Sequence, residues 1–146
     1  MTKGLRLVGA VAACLLGPAC TPTPTGGRIT ITSQIDFSSE PFRGTFEVTE
    51  GADILGCTRG SFIDTPGTTN IYKAMTCESG SRSGSFTGQF NPQDIPGPGD
   101  DNGPWSFIEA TEDFSGLSGG GDFWVVYDEG GLSGVETLTG DVQFGR

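Results

Sequence analysis

The sequence predicts an all-β domain, an eight-stranded antiparallel β-barrel, with a two-sheet β-sandwich as the alternative use of the same strands. Three observations carry this. Glycine supplies 25 of 146 residues, well above its usual ~7%, and disfavours a helix interior by about 1 kcal/mol at each position. No helix-forming run follows the first nineteen residues. Short apolar stretches recur instead, separated by Gly, Pro, Ser and Asp, at the length of strands.

The first element is a leader. Lys3 and Arg6 make a basic start, Leu7 to Leu16 is an apolar run, and Gly17-Pro18-Ala19 ends it. This is the pattern of a secretory signal, and the run is about half the ~20 residues a membrane-spanning helix needs. Residues 1–19 are therefore expected to be removed, and the protein to be exported. Cys20 at the junction resembles the lipid-acceptor cysteine of bacterial lipoproteins, which implies a lipid anchor in the cell envelope, since two or more acyl chains give stable anchoring. Gly17 stands where such signals usually carry Leu. Val11-Ala12-Ala13-Cys14 offers Cys14 as the alternative acceptor, and plain secretion after Ala19 is the other reading. Residues 20–27, Cys-Thr-Pro-Thr-Pro-Thr-Gly-Gly, have the composition of a semi-extended tether. Residues 28–146 form the barrel domain, and the mature chain of about 127 residues is one domain's worth.

Eight strands are predicted over 28–37, 42–50, 53–64, 69–78, 83–91, 104–114, 119–128 and 133–144. In the first, Ile29, Ile31, Ile35 and Phe37 share a face opposite Thr30, Thr32, Gln34 and Asp36. In the second, Phe42, Phe46 and Val48 alternate with Arg43, Thr45, Glu47 and Thr49. A hairpin across Ser38–Pro41 that pairs Phe37 with Phe42 puts both apolar sets on one side. In the third and fourth strands, Cys57 and Cys77 are each ten residues from Gly67. A hairpin centred on Gly67 sets them opposite one another, together with Phe62 and Tyr72, and Ile63 and Ile71. An exported protein keeps disulfides, so a cross-strand Cys57–Cys77 bridge is expected, worth roughly 3 kcal/mol. In the last strand Leu138, Val142 and Phe144 alternate with Thr137, Thr139, Asp141 and Gln143. A Gly-x-Phe repeat, at Gly44–Phe46, Gly60–Phe62, Gly84–Phe86 and Gly121–Phe123, combines core volume with points where a strand bends or a neighbour approaches closely.

The stretch from Gly103-Pro-Trp-Ser-Phe to Gly116-Leu-Ser-Gly-Gly-Gly-Asp-Phe123 resembles the penultimate hairpin of the allene oxide cyclase-like and dirigent-like barrels. Gly84-Ser-Phe-Thr-Gly-Gln-Phe90 is similar to that family's middle strand. Ala110-Thr111-Glu112 replaces the family's Gly-Thr-Gly. The resemblance covers about 60 residues and consists of backbone signals, so it implies an eight-stranded barrel with an apolar lumen and no particular catalytic residue. Members of that family bind small hydrophobic molecules or steer their cyclisation or coupling, and others are exported proteins of unknown role.

Charge and composition narrow the chemistry. Loss of residues 1–19 removes Lys3 and Arg6 and no acid, so the formal charge falls from −10 to −12. Phosphates would be repelled, which argues against nucleic acid and anionic membrane surfaces as partners. The chain has no His, which excludes Ser-His-Asp and Cys-His catalysis and His-metal sites. No glycine-rich segment ends in the Lys-Ser/Thr of a phosphate-binding loop. No cofactor is expected.

What remains is carboxylate, Lys and Tyr chemistry. Glu109 shares strand parity with Trp105 and Phe107; turned into the lumen it would be desolvated, as a general acid needs, and otherwise it marks a solvated strand end. Lys73 alternates with Ile71 and Met75. It is either a lumenal cation, facing Ser61 on the cysteine register with Arg59 nearby, or an outward Lys lying along apolar surface. Tyr72, Trp105, Trp124 and Tyr127 either line a ligand pocket or fill the core. In the 91–104 loop, Asp94, Asp100, Asp101 and Asn102 offer oxygen ligands suited to calcium, though without EF-hand spacing, and the same residues form turns. The expected role is that of a lipid-anchored envelope barrel that is structural or binds a small apolar ligand. A dirigent-type cyclase using Glu109 or Lys73 and a calcium-dependent surface protein are the alternatives.

Overall fold

The computed structural model describes residues 25–93 and 95–145; the leader, Cys14, Cys20 and Asp94 lie outside them. The strands are β1 (Gly26–Asp36), β2 (Phe42–Glu50), β3 (Arg59–Pro66), β4 (Ile71–Ser79), β5 (Gly84–Phe90), β6 (Asp101–Ala110), β7 (Leu117–Tyr127) and β8 (Ser133–Phe144). One helical turn, α1 (Ala52–Leu55), precedes β3, and a 3-10 turn spans Glu112–Phe114. Each strand pairs antiparallel with the next, and β1 pairs with β8 from Gly26↔Gln143 to Asp36↔Ser133, so the sheet closes into a barrel. Closure selects the barrel over the sandwich. Gly26 and Gly27, read from sequence as tether, are the first residues of β1 and already pair with β8.

The predicted alternation holds on β1, where Ile29, Ile31 and Ile35 are buried between exposed or half-buried polar neighbours. The Phe37–Phe42 hairpin is also as expected: Asp36 pairs with Arg43 next to it, and the two rings meet edge-on at 5.1 Å. Two members of the Gly-x-Phe repeat, on β2 and β3, form a reciprocal pair. Gly44 stands opposite Phe62, and Gly60 opposite Phe46. A Cβ on Gly60 would collide with the Thr76 carbonyl oxygen and lie 2.7 Å from the Phe46 ring, and one on Gly44 would collide with the Gln34 carbonyl oxygen and the Phe62 ring. Each glycine thus vacates the space that the neighbouring strand's phenylalanine fills.

Two expectations are corrected. Residues 53–58 are not strand: α1 and the segment after it cross the barrel end, with Leu55 and Cys57 fully buried. The β3–β4 hairpin is not centred on Gly67. Gly67 N–H donates to the Asn70 carbonyl at 2.7 Å, and the four-residue connection makes Pro66↔Ile71 the first pair. Phe62 therefore faces Met75, Ile63 faces Ala74, and Lys73 faces Asp64 rather than Ser61. The Cys57–Cys77 disulfide nevertheless forms, with Cα atoms 5.9 Å apart. It does so because the register shifts between Arg59 and Gly60, and Cys57 approaches from the segment that precedes β3.

The two ends of the barrel differ. At the end where β1 begins, α1, the disulfide and the 3-10 turn fill the opening. Phe114 is fully buried there, its ring 4.8 Å from that of Phe86. At the other end four short connections, 37–41, 67–70, 91–100 and 128–132, surround a mouth.

Overpacking a filled core costs about 1–3 kcal/mol. Gly60→Ala should therefore destabilise the domain by about 2 kcal/mol, read as a lower urea midpoint with an unchanged slope. An unaltered midpoint would show that the space opposite Phe46 is not limiting.

Candidate functional site

The mouth opens into a cavity of about 390 Å³, within the range that holds small ligands. Its walls are aromatic and aliphatic: Phe37, Phe42, Phe90, Phe123 and Tyr127, with Ile35, Ile71 and Val125. Three carboxylates, Asp64, Asp101 and Glu136, interrupt this apolar lining.

Asp64 and Glu136 belong to a buried trio with Lys73. Strand parity turns Asp64 inward with Phe62, Lys73 with Met75, and Glu136 with Leu138. Asp64 faces Lys73 directly across the β3–β4 ladder. Glu136 comes from β8, four strands away around the closed wall, and only a long side chain spans such a lumen. Lys73 does so. It is fully buried, its Nζ lies 2.8 Å from both carboxylate oxygens of Asp64, and it stands 3.4 Å from Oε1 of Glu136. The ammonium also sits 3.5 Å from the centroid of the Phe62 ring and 5.5 Å from that of Phe90, within cation–π range. Lys73 lies behind the two carboxylates and is not part of the cavity wall.

Two carboxylates facing one ammonium cannot both be neutralised by it. Burial pushes the Asp64 carboxyl up and the Lys73 charge opposes that. Burial likewise pushes Glu136 up; the Asp64 charge adds to the effect and Lys73 opposes it. Asp64 holds the closer, two-oxygen contact with Lys73, so its raised pKa is the more strongly opposed and the Glu136 carboxyl is pushed up with less compensation. Oε1 of Glu136 is buried without a hydrogen-bond partner. Fold stability does not explain this arrangement, because well-packed apolar residues in place of a buried ion pair are often neutral or stabilising by about 1–4 kcal/mol. Ionisable groups with shifted pKa values that meet in a cleft mark a candidate site instead.

The residues singled out from sequence are distributed differently. Lys73 is lumenal, as one of its two readings had it. Glu109 is not: the β5–β6 register shifts between Thr87 and Gly88, and Ile108 becomes the extra residue between Phe107 and Glu109. One extra residue reverses the alternation, so Glu109 is exposed while Trp105 and Phe107 stay buried. Tyr127 lines the mouth at 40% exposure. Burial raises its hydroxyl pKa, with the charges of Asp101, Asp100 and Glu136 adding to the effect. Trp105 is core rather than pocket lining. Its indole N–H donates to the Thr139 carbonyl at 3.2 Å, and its ring packs on Phe90 and Phe107. Tyr72 and Trp124 have the opposite parity to buried Lys73, Phe123 and Val125, so both lie on the outer face.

The loop acids serve as backbone acceptors. Asp100 accepts from Tyr127 N–H at 2.8 Å, and Asp101 from Asn102 N–H at 2.9 Å. Among the described residues no group of three or more acids or cysteines is placed to hold a metal ion.

Asp64 and Glu136 were missed by sequence reasoning. The signal was present, since each continues the inward parity of an apolar neighbour, Phe62 and Leu138. It became a site only through register and closure.

Removing one partner of a buried ion pair costs about 3–5 kcal/mol, so Lys73→Met should lower stability by about 3 kcal/mol near neutral pH. The sign with pH follows from linkage. A carboxyl whose folded pKa is raised makes the folded state bind protons more tightly than the unfolded one. Stability then falls as pH rises from the ordinary carboxylate range through the raised folded value. Without Lys73 to oppose the rise, the deficit of Lys73→Met against the native chain should shrink on acidification toward about pH 4. Urea denaturation across the pH range measures this; a pH-independent deficit would mean that lost packing, not the trio's charge, is responsible.

No protein-family profile, curated protein or solved structure matches this chain significantly. The chemistry of the site therefore rests on its own geometry.

Proposed function

We propose that the protein is an exported, lipid-anchored envelope barrel that binds a small, largely apolar molecule in its open-ended lumen. The observation that carries this reading is the ligand-sized aromatic cavity lined by Asp64 and Glu136, with Lys73 paired to both behind them. The basic, apolar and small-residue leader before Cys20 supports export. The tether would join at the start of β1, the plugged end. That leaves the mouth facing away from the membrane and open to ligand.

A second reading, an isomerase or cyclase of dirigent type, is favoured by one feature. Two buried carboxyls, both pushed up by burial and differently paired with Lys73, offer a proton donor and a proton acceptor in one dry site. In this reading those two carboxyls replace Glu109 as the lumenal acid, and Lys73 positions them.

Native mass spectrometry of the mature chain from an exporting host should show an added mass that solvent releases. Phe123→Ala, which opens the cavity wall, should diminish it. A ligand-free mass under mild conditions would overturn the binding reading. Incubating the released compound with native protein and with Glu136→Gln separates the two readings, since only catalysis yields an isomer that the variant fails to form. The anchor is checked by feeding radiolabelled palmitate to an expressing bacterium. Label should enter the native chain and not Cys20→Ser. Loss with Cys14→Ser alone would move the acceptor, and no label at all would mean secretion without an anchor.

A further inference from the structure

The floor of the cavity carries an unanswered hydrogen-bonding demand. Glu136 is 4% exposed, lines the cavity, and has an oxygen with no hydrogen-bond partner. Asp101 contributes a second carboxylate to the same wall. The balancing cation is not offered to a ligand, because Lys73 is fully buried and its ammonium is engaged by both oxygens of Asp64. An anionic guest would meet carboxylates first. A guest that brings hydrogen-bond donors and positive charge would satisfy them.

The barrel already shows how it holds such a group. The Lys73 ammonium lies between carboxylates and the Phe62 and Phe90 rings. Above it, the cavity repeats that chemistry with Glu136 and Asp101 beside Phe37, Phe42, Phe123 and Tyr127. Aromatic faces attract a desolvated cation. The field outside agrees. Among the described residues, the four connections around the mouth contain Glu40, Asp100, Asp128 and Glu129 and no Lys or Arg, and a mouth of one sign concentrates the opposite charge.

We propose that the lumen selects a small organic monocation, an ammonium group carried on an apolar or aromatic body. The ammonium seats at Glu136, and the body packs among the aromatic walls. This rests on the lumenal-binding reading and names its ligand class. Glu136 would enter the complex as carboxylate. Any proton that its raised pKa leaves on it passes to solvent as the ammonium arrives. The groups facing Glu136 are Lys73 from β4, Asp64 from β3, Asp101 from β6 and Tyr127 from β7. Of these only Lys73 favours its ionised form, so the ligand adds the second positive charge.

The test is calorimetric titration of the mature protein with phenylpropylammonium, phenylpropanol and phenylpropanoate, three guests of one shape and different charge. The ammonium should bind about ten-fold or more tighter than the alcohol, and the carboxylate most weakly. Ammonium binding should release a proton, seen as a heat that depends on the buffer, and should tighten as pH rises from the ordinary carboxylate range. In Glu136→Gln the ammonium-to-alcohol ratio should collapse toward one. Should that variant fail to fold, Asp101→Asn must lower the same ratio. Equal or tighter binding of the alcohol or the carboxylate overturns the cation assignment and leaves the lumenal reading standing. Failure of all three to bind, with a ligand-free native mass, overturns both.

Discussion

The ladder between β1 and β8 runs the whole length of β1, and the closed wall it completes sets the conditions for everything inside. An eight-stranded barrel is just wide enough to be filled by side chains or to hold one small molecule. Inward positions on opposite walls then compete for the same volume. The Gly44–Phe62 and Gly60–Phe46 pairs settle that competition locally, with a ring on one strand and nothing beyond the backbone on its neighbour. Closure also removes sheet edges, the usual route to edge-to-edge association. What remains open is the two ends, and the chain treats them unequally. Leu55, Phe114 and the Cys57–Cys77 bridge fill one, while the other leads into the cavity.

That asymmetry gives the buried trio its meaning. A Lys and two acids in a fully packed barrel would be a cost with no return, since apolar replacements are as stable or more so. Placed at the base of an open cavity, the same residues form a polar floor. Asp64 meets the Lys73 ammonium with both oxygens, though its Oδ1, like Oε1 of Glu136, has no hydrogen bond. Glu136 carries a carboxyl whose pKa burial raises and that lines the space where a guest would sit. The aromatic walls supply area, and the Glu136 carboxyl supplies selectivity. A general acid needs the same features as a polar recognition site, which is why one geometry supports both a binding and a catalytic reading.

Much of the wall was legible in the chain. Ile29, Ile31 and Ile35 alternate with polar residues because one face of β1 is buried and the other solvated, and period-two patterning survives whatever the neighbours are. The Phe37–Phe42 pairing was legible because a short connection leaves little choice of register. The Cys57–Cys77 register was not, because a disulfide can be reached from outside a ladder. The bridge forms from the segment before β3, and the hairpin pairs three residues away from the symmetric solution. Glu109 shows the limit of parity. A single inserted residue at Ile108 reverses inside and outside, and nothing in the local composition announces it.

The sequence by itself determined the strand count, the all-β class, the core face of most strands and the pairing of the two cysteines. These depend on local alternation, turn residues and the spacing of the two cysteines about one turn. Only the tertiary structure decided which charges share the lumen. Asp64, Lys73 and Glu136 come from strands that are adjacent or opposite only once register and closure are set. Their burial, and hence the raised pKa of Glu136, is a property of the assembled interior. A charge on an inward parity reads alike whether it ends at a solvated rim or beneath a cavity; the difference lies in its distance from the other wall, and that distance exists only after the barrel closes.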